Sequence, residues 1–416
     1  MRKFFFLLAL LAGSPAYANA DFDSWLAAFR EEATAQGISA ATLDAALTGI
    51  TPVERVIELD RRQPEFLQTF ADYLGRRLTA RRVALGQTLM TEHATLLDAV
   101  EQQYGIPKAV LVAFWALETN YGATLGSLNI PASLATLAFD GRRGDFFRSQ
   151  LLDALRIIDA GHVSAVDMKG SWAGAMGHMQ FMPSTFRSYG IDADGDKRID
   201  LWQSLPDAIH SAANYLQRAG WHANEPVAIE VRVPEGFDWR KARVANRLPV
   251  ADWMACGVQA ADGVVLPTAS GPAGIVLPQG WQGPAFMVFD NFDVVMQWNR
   301  SVNYALAVAQ LAHALAGGDV KIVQAGEAGA LSIAQVKTLQ QALNELGFDA
   351  GTPDGLLGPY TQSAIRRYQV VHNLPADGYP GPSLLVHVEQ SHAAAAEAGT
   401  LTPAPAPTFA EPASQL

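Results

Sequence analysis

From Phe22 to about residue 220 the apolar residues recur at helical spacing, and this period limits the fold more than any other feature of the chain. Phe22-Asp-Ser-Trp25 opens one amphipathic segment. Leu67, Phe70, Tyr73 and Leu74 mark another, followed by a basic stretch from Arg76 to Arg82. Leu96 to Tyr104 is a third, with Gly105 as its stop and Pro107 just inside the next start. The period changes at 226–238, where Val227 to Val233 alternates in part and predicts a short strand. Residues 255–290, with Gly, Pro and β-formers, read as short strands and loops, and helix resumes from Val294 to Ala316. A mainly α (α+β) architecture with small β elaborations is expected.

At 416 residues, 49% of them hydrophobic, the chain can bury a sizeable core, and its length suggests two or three domains. A net charge of −11, with no basic run beyond the short stretch at Arg76 to Arg82, argues against general nucleic-acid binding. The single cysteine, Cys256, excludes an intramolecular disulfide and a multi-cysteine zinc site. Trp253 and Met254 beside it predict a buried thiol.

Arg2-Lys3, the apolar run Phe4 to Leu11 and Ala18-Asn-Ala20 form a signal-peptide pattern over 1–20. The run is too short to span a bilayer, and no cysteine near the cleavage point offers a lipid anchor. The expected divisions are then a main domain at 21–316, a linker at 317–330, a small helical module at 331–388 and a disordered Ala/Pro-rich tail at 389–416. The module holds a weak repeat, Asp354-Gly-x-x-Gly358 and Asp377-Gly-x-x-Gly381, each Asp-Gly a turn signal.

Three segments carry chemistry. Lys108 to Glu118 is almost wholly apolar until its glutamate, whose helical neighbours are Trp115, Phe114 and Leu111. Desolvation there would keep the carboxyl protonated and able to protonate a glycosidic oxygen, unless the side chain turns out to solvent or pairs with an arginine. In Gly170 to Ser184 three glycines alternate with apolar residues. They bring the backbone close either to a ligand or to itself in a packed corner. Ser171 and Gln180 offer neutral hydrogen bonds suited to a polyhydroxyl or acetamido substrate, and His178 reads as a packing or surface residue rather than a base. Asp192, Asp194, Asp196 and Asp200 take positions 1, 3, 5 and 9 of a calcium-type loop, with the Arg198 carbonyl at 7. Lys197 replaces the usual glycine and Gln203 the usual glutamate, so a solvated acidic turn remains open.

Glu118-Thr-Asn-Tyr-Gly, Leu134-Ala-Thr-Leu-Ala-Phe-Asp, Gly170-Ser-Trp-Ala-Gly-Ala-Met-Gly and Gln180-Phe-Met-Pro-Ser resemble the membrane-bound lytic murein transglycosylase B family. Leu59-Asp-Arg-Arg-Gln-Pro-Glu-Phe66 and Ala213-Asn-Tyr-Leu-x-x-x-Gly-Trp221 extend the likeness. The resemblance implies a lysozyme-like helical core and cleavage of the β-1,4 bond between N-acetylmuramic acid and N-acetylglucosamine without water, leaving a 1,6-anhydro end. It makes Glu118 the single catalytic carboxyl, helped by the substrate's own acetamido group. Ser171, Gln180, Tyr215, Asn299 and Tyr304 become sugar-contacting residues, and Arg142 and Arg143 a basic pair for stem-peptide carboxylates. It adds Asp207 to Asp192, Asp194, Asp196 and Arg198 as the last ligand of a structural Ca²⁺, within an EF-hand-like loop at 192–207. Trp298 departs from the family's tyrosine.

Val336-x-x-Leu-Gln-x-x-Leu-x-x-Leu-Gly347, Asp354-Gly-x-x-Gly-x-x-Thr361 and Ala364-Ile-x-x-Tyr-Gln369 resemble a three-helix peptidoglycan-binding module on a flexible tether. The implied partners are peptidoglycan glycan strands and stem peptides and the cell-wall synthesis or division machinery, met by a soluble periplasmic monomer without organic cofactor. A hydrolytic muramidase of the same fold and a catalytically silent wall-binding scaffold are the alternative readings.

Overall fold

The computed structural model describes residues 15–61, 68–320 and 329–401, with side chains from Asp21 onward. The expected signal peptide up to residue 14, motif residues 62–66, linker residues 321–328 and the tail beyond 401 lie outside the described residues. In chain order the first helices are α1 (Pro15–Ala35), α2 (Ala40–Leu47), α3 (Glu54–Arg61), α4 (Phe70–Arg77), α5 (Ala80–Glu92), α6 (Ala94–Tyr104) and α7 (Lys108–Thr119). Then come β1 (Leu128–Asn129), α8 (Ile130–Asp140), α9 (Gly144–Asp159), β2 (Lys169–Gly170), α10 (Pro183–Tyr189) and α11 (Leu205–Arg218). A β-containing stretch follows with β3 (Ala228–Arg232), α12 (Val250–Ala255), β4 (Gln259–Ala260), β5 (Gly274–Val276) and β6 (Ala285–Val288). The chain ends on α13 (Asp290–Trp298), α14 (Val302–Leu315), α15 (Ile333–Glu345), α16 (Pro359–Val371) and α17 (Pro382–Glu397).

These elements form two compact units, one from 1–63 and 118–214, the other from 64–117 and 215–416. In the first, Phe147, Leu151, Leu152 and Leu155 lie on one stripe of α9 and are buried, and α9 packs on α8. Phe22 meets Phe139 edge-on at 5.3 Å, and Trp25 stacks on Phe29 at 5.4 Å. The Val53 N–H donates to the Thr136 hydroxyl at 3.0 Å, fixing the entry to α3.

The second unit holds an antiparallel sheet in the order β4-β3-β6-β5, in which Ile229 faces Met287 on one side and Met287 faces Ile275 on the other. Its core centres on Trp253, fully buried, whose indole N–H donates to the Ala273 carbonyl at 2.7 Å. Truncating such a residue to alanine costs about 3–5 kcal/mol. α14 is buried along nearly its whole length, which is why its sequence shows no polar face. The helix expected from Val294 to Ala316 is two helices, broken at Asn299–Ser301, where Ser301 caps α14 by accepting the Tyr304 N–H.

Two further expectations are corrected. Cys256 is exposed: α12 has six residues and buries only Val250 and Trp253, leaving Met254 and the C-cap Cys256 on the outer side. The stretch after 388 is not a disordered tail from its start, because α17 runs to Glu397. The Ala393–Ala396 run has high helix propensity, and His392 bonds Glu345 of α15 at 2.5 Å.

The small module is not merely strung on its linker. The Trp281 N–H, in the β-containing part of the same unit, donates to Asp377 Oδ2 at 2.8 Å, with Tyr379 packed against Gly280.

Candidate active site

α7 delivers Glu118. Leu111, Val112, Ala113 and Phe114 are fully buried, and the glutamate, in the last turn, is half-buried. Helix cannot continue beyond it, because Asn120, Tyr121 and Gly122 take successive φ values of 50°, 61° and 85°. Thr119, 1% exposed, holds that turn: its hydroxyl donates to the His178 carbonyl at 2.8 Å and accepts the Gly122 N–H at 3.0 Å. The His178 ring lies where a Cβ on Gly122 would stand, 2.4 Å from its Cε1. Burial holds the His178 imidazole below its ordinary pKa, so of the packing and surface readings the sequence left open, packing describes it.

The glycine-rich segment folds back on itself in short bridges, Gly170 with Met176 and Met176 with Phe181, while β2 pairs antiparallel with β1. The glycines are there for packing. A Cβ on Gly170 would sit 2.1 Å from the Ala175 carbonyl oxygen, and one on Gly177 2.4 Å from that of Leu201. Of the two sequence readings for these glycines, the packed corner describes their surroundings. Ser171 Oγ accepts the Ala175 N–H at 3.0 Å, leaving its own proton to donate. Gln180, at φ 49°, donates its Nε2 to the carbonyls of Leu125 and Gly177 at 3.2 and 3.0 Å. No described residue donates to its Oε1. The first unit therefore brings Glu118, Ser171 and Gln180 onto one connected backbone framework.

Arg142 and Arg143 converge on Asp60, a residue 1% exposed. Arg142 Nη1 donates to its carbonyl at 2.8 Å and its Oδ2 at 2.9 Å, and Arg143 Nη2 to its Oδ1 at 2.5 Å. The pair thus carries one surplus positive charge, with both guanidinium groups about half exposed. Sequence reasoning named the arginines as a basic pair and missed Asp60 as their anchor. The signal was present in the Leu59-Asp-Arg-Arg motif, but a pairing across 82 residues has no local trace.

Tyr215, Asn299 and Tyr304 belong to the second unit. Tyr215 meets Trp298 edge-on at 5.0 Å, Trp298 lies 4.6 Å from Phe114, and Phe114 lies 6.1 Å from the buried Tyr304. Asn299 is exposed at the C-cap of α13.

In the acidic loop, oxygens of Asp192, Asp194 and Asp196 lie within 4.8 Å of one another, and Lys197 takes a φ of 72° at the position where such loops use glycine. That donor set suits a hard cation, since every ligand atom is oxygen and three carboxylates converge. Asp207 stands apart from the trio. Buried, it accepts the Ala193 N–H on Oδ1 and the Asp200 N–H on Oδ2, both at 2.8 Å, clasping the two limbs of the loop. The loop also backs the glycine-rich segment, through the His178 N–H to Leu201 carbonyl bond at 2.8 Å and the Trp202 indole to Lys169 carbonyl bond at 2.7 Å. Among the described residues a second trio, His222, Glu225 and Asp290, also brings ligand atoms together. There Glu225 accepts the N–H groups of Gly271 and Asn291, which accounts for it as a loop anchor.

Comparison with known proteins bears on this arrangement. Residues 21–313 match the family described as Transglycosylase SLT domain, and residues 332–387 the one described as "Putative peptidoglycan binding domain". The chain is 31% identical over 259 residues to membrane-bound lytic murein transglycosylase B of Escherichia coli K12, covering 59% of this chain and 66%, just under two thirds, of that protein. It superposes on SltB3 of Pseudomonas aeruginosa, solved in complex with NAG-anhNAM-pentapeptide, with a TM-score of 0.85 and 44% identity over 88% of this chain and 99% of that one. The Escherichia coli lytic transglycosylase Slt35 in complex with calcium gives a TM-score of 0.61 at 27% identity, over 73% and 95% of the two chains.

Proposed function

This chain belongs to the SLT-domain transglycosylase family, and from that premise we propose that it is an exported lytic transglycosylase of peptidoglycan. It cleaves the β-1,4 bond between N-acetylmuramic acid and N-acetylglucosamine and leaves a 1,6-anhydro muramoyl end. The observation that carries this reading is Glu118, a half-buried carboxyl ending an apolar helix and braced through Thr119 onto the segment bearing Ser171 and Gln180.

Glu118 first gives its proton to the leaving glycosidic oxygen as the C1–O bond breaks. The substrate's 2-acetamido oxygen stabilises the cation forming at C1. The Glu118 carboxylate then takes the proton of the muramoyl C6 hydroxyl as that oxygen bonds to C1, which returns the acid to its starting state. One carboxyl acting twice replaces the pair that hydrolytic glycosidases use. Ser171 donates from its hydroxyl and Gln180 accepts on Oε1, both neutral contacts suited to sugar hydroxyl and acetamido groups. Tyr215, Asn299 and Tyr304 supply further sugar contacts, and Arg142 and Arg143, anchored by Asp60, face stem-peptide carboxylates with their surplus charge.

Export is supported by a family match that begins at residue 21, directly after the expected cleavage point. No helix among the described residues is long and apolar enough to cross a membrane. Asp192, Asp194, Asp196 and the Arg198 carbonyl would hold a structural Ca²⁺, with Asp207 closing the loop. Such an ion would stiffen the backing of residues 177–180 without touching sugar. The 331–388 module would hold the enzyme on the wall.

Mass spectrometry of digested sacculi separates the readings. Anhydro-muramoyl ends support this one, reducing ends point to a hydrolytic muramidase, and no release at all to a silent wall-binding protein.

A further inference from the structure

The wall-binding module contains the same turn twice, and among the described residues only one copy has its outward oxygen engaged by the rest of the chain. In each copy a buried glutamine locks an Asp-Gly turn. Gln340 accepts the Gly355 N–H on Oε1 and donates its Nε2 to Asp354 Oδ1, at 2.8 and 3.1 Å. Gln369 does the same for the Gly378 N–H and Asp377 Oδ1, at 2.9 and 2.7 Å. Oδ1 of each aspartate also accepts the N–H two residues on, from Leu356 and from Tyr379. A basic side chain three residues before each glutamine covers the turn: a Cβ on Gly355 would lie 3.3 Å from Lys337 Cε, and one on Gly378 2.7 Å from Arg366 Cζ.

The copies differ in what faces them. Asp377 is buried, and its Oδ2 accepts the Trp281 N–H at 2.8 Å while Tyr379 packs on Gly280. That turn grips a peptide by one backbone N–H and by the small residue before it, since a Cβ on Gly280 would come within 3.1 Å of both Asp377 and Tyr379. Asp354 is exposed, and no described residue donates to its Oδ2. Leu356, in the place of Tyr379, is 46% exposed, and Tyr360 one turn on is 67% exposed.

We propose that the Asp354 turn is a peptide-binding site of the module, taking a backbone N–H of an extended, small-residue peptide on Asp354 Oδ2 with Leu356 against its side chain. Lys337 adds a cation beside the same turn, so a peptide that also carries a carboxylate fits best. Within the wall the stem peptide offers that chemistry, with alanine-sized side chains and carboxylates. The assignment rests on the wall-binding reading of the module.

The test is retention of the full chain, on ice, by intact sacculi and by sacculi stripped of stem peptides with an amidase. Asp354→Asn keeps the Oδ1 bonds to Gln340 and Leu356 but turns an N–H donor outward. It is expected to cut retention on intact sacculi by about tenfold, the size of a lost charge-assisted hydrogen bond, with an unchanged melting temperature. Leu356→Ser, which leaves the glutamine lock untouched, should weaken retention in the same direction. On stripped sacculi the original chain and both variants should converge. Equal retention of Asp354→Asn and the original chain on intact sacculi overturns the proposal, as does an undiminished difference on stripped sacculi. If the original chain is not retained on intact sacculi, the wall-binding reading itself fails and this site with it.

Discussion

The Thr119 hydroxyl bonds the carbonyl oxygen of His178 at 2.8 Å, tying the residue beside Glu118 to the segment that carries Gln180. Thr119→Val keeps the side-chain shape and leaves the His178 carbonyl and the Gly122 N–H without this partner. Loss of such buried bonds costs about 1–3 kcal/mol. Urea unfolding should show that loss, and turnover on sacculi should fall further than stability alone explains. Unchanged stability together with unchanged turnover would contradict the bracing role.

Asp60→Asn tests the anchoring of the basic pair. The substitution removes the charge that holds both Arg142 and Arg143 while keeping the carbonyl bond to Arg142. About 1–3 kcal/mol of stability should go. Selectivity for fragments bearing a free stem-peptide carboxylate should also shift relative to unsubstituted glycan. A turnover ratio between the two substrates equal to the parent's would separate the arginines from peptide recognition.

Acid should weaken the first unit through its histidines. His162 and His178 both sit below the ordinary value of 6.5 because burial penalises the charged ring. The unfolded chain therefore takes up protons first as pH falls through 6.5, and the stability these neutral rings contribute is present above that value and lost below it. The melting temperature should drop as pH is lowered through this window, and His178→Gln should flatten part of the slope. An identical slope in the variant would remove His178 from the account.

Calcium should raise the melting temperature relative to chelator, by an amount equivalent to about 2.7 kcal/mol when the ion is at a hundred times its dissociation constant. Asp194→Asn combined with Asp196→Asn should abolish that difference. Because the loop backs Gly177 and His178, chelation should also slow turnover. Equal midpoints in calcium and chelator would sink the metal assignment.

Asp377→Asn should release the module from the β-containing part of its unit, since an amide N–H would then face the Trp281 N–H. Small-angle scattering should report a larger radius of gyration than for the parent. An unchanged radius would mean that other contacts suffice to hold the module.

Periodicity made much of this legible. The apolar run up to Glu118, the Gly105 stop, the strand at 228–232 and the first two helices of the module follow from local spacing, because each element buries one face. What stayed hidden was set by distant partners. Asp60 reads as one more surface aspartate until its two arginines arrive from 82 and 83 positions away. Gln340 and Gln369 look like polar interruptions of amphipathic helices, yet each is the lock of a turn. Cys256 was misjudged because neighbours in sequence were taken as a guide to burial: Trp253 is buried, while Met254 and the C-cap Cys256 are exposed. The glycines of 170–177 were recognised as close-approach residues, but only the fold identifies what they approach.

The central claim is that Glu118 alone carries the proton chemistry and that the substrate's own C6 hydroxyl, not water, is the nucleophile. Glu118→Gln, nearly isosteric, should be incubated with sacculi beside the parent chain and the soluble products resolved by mass. The parent should release anhydro-muramoyl fragments, and the variant none above background while still sedimenting with the wall. Fragment release by Glu118→Gln at the parent's rate, or products from the parent that end in reducing muramoyl residues, would contradict the account.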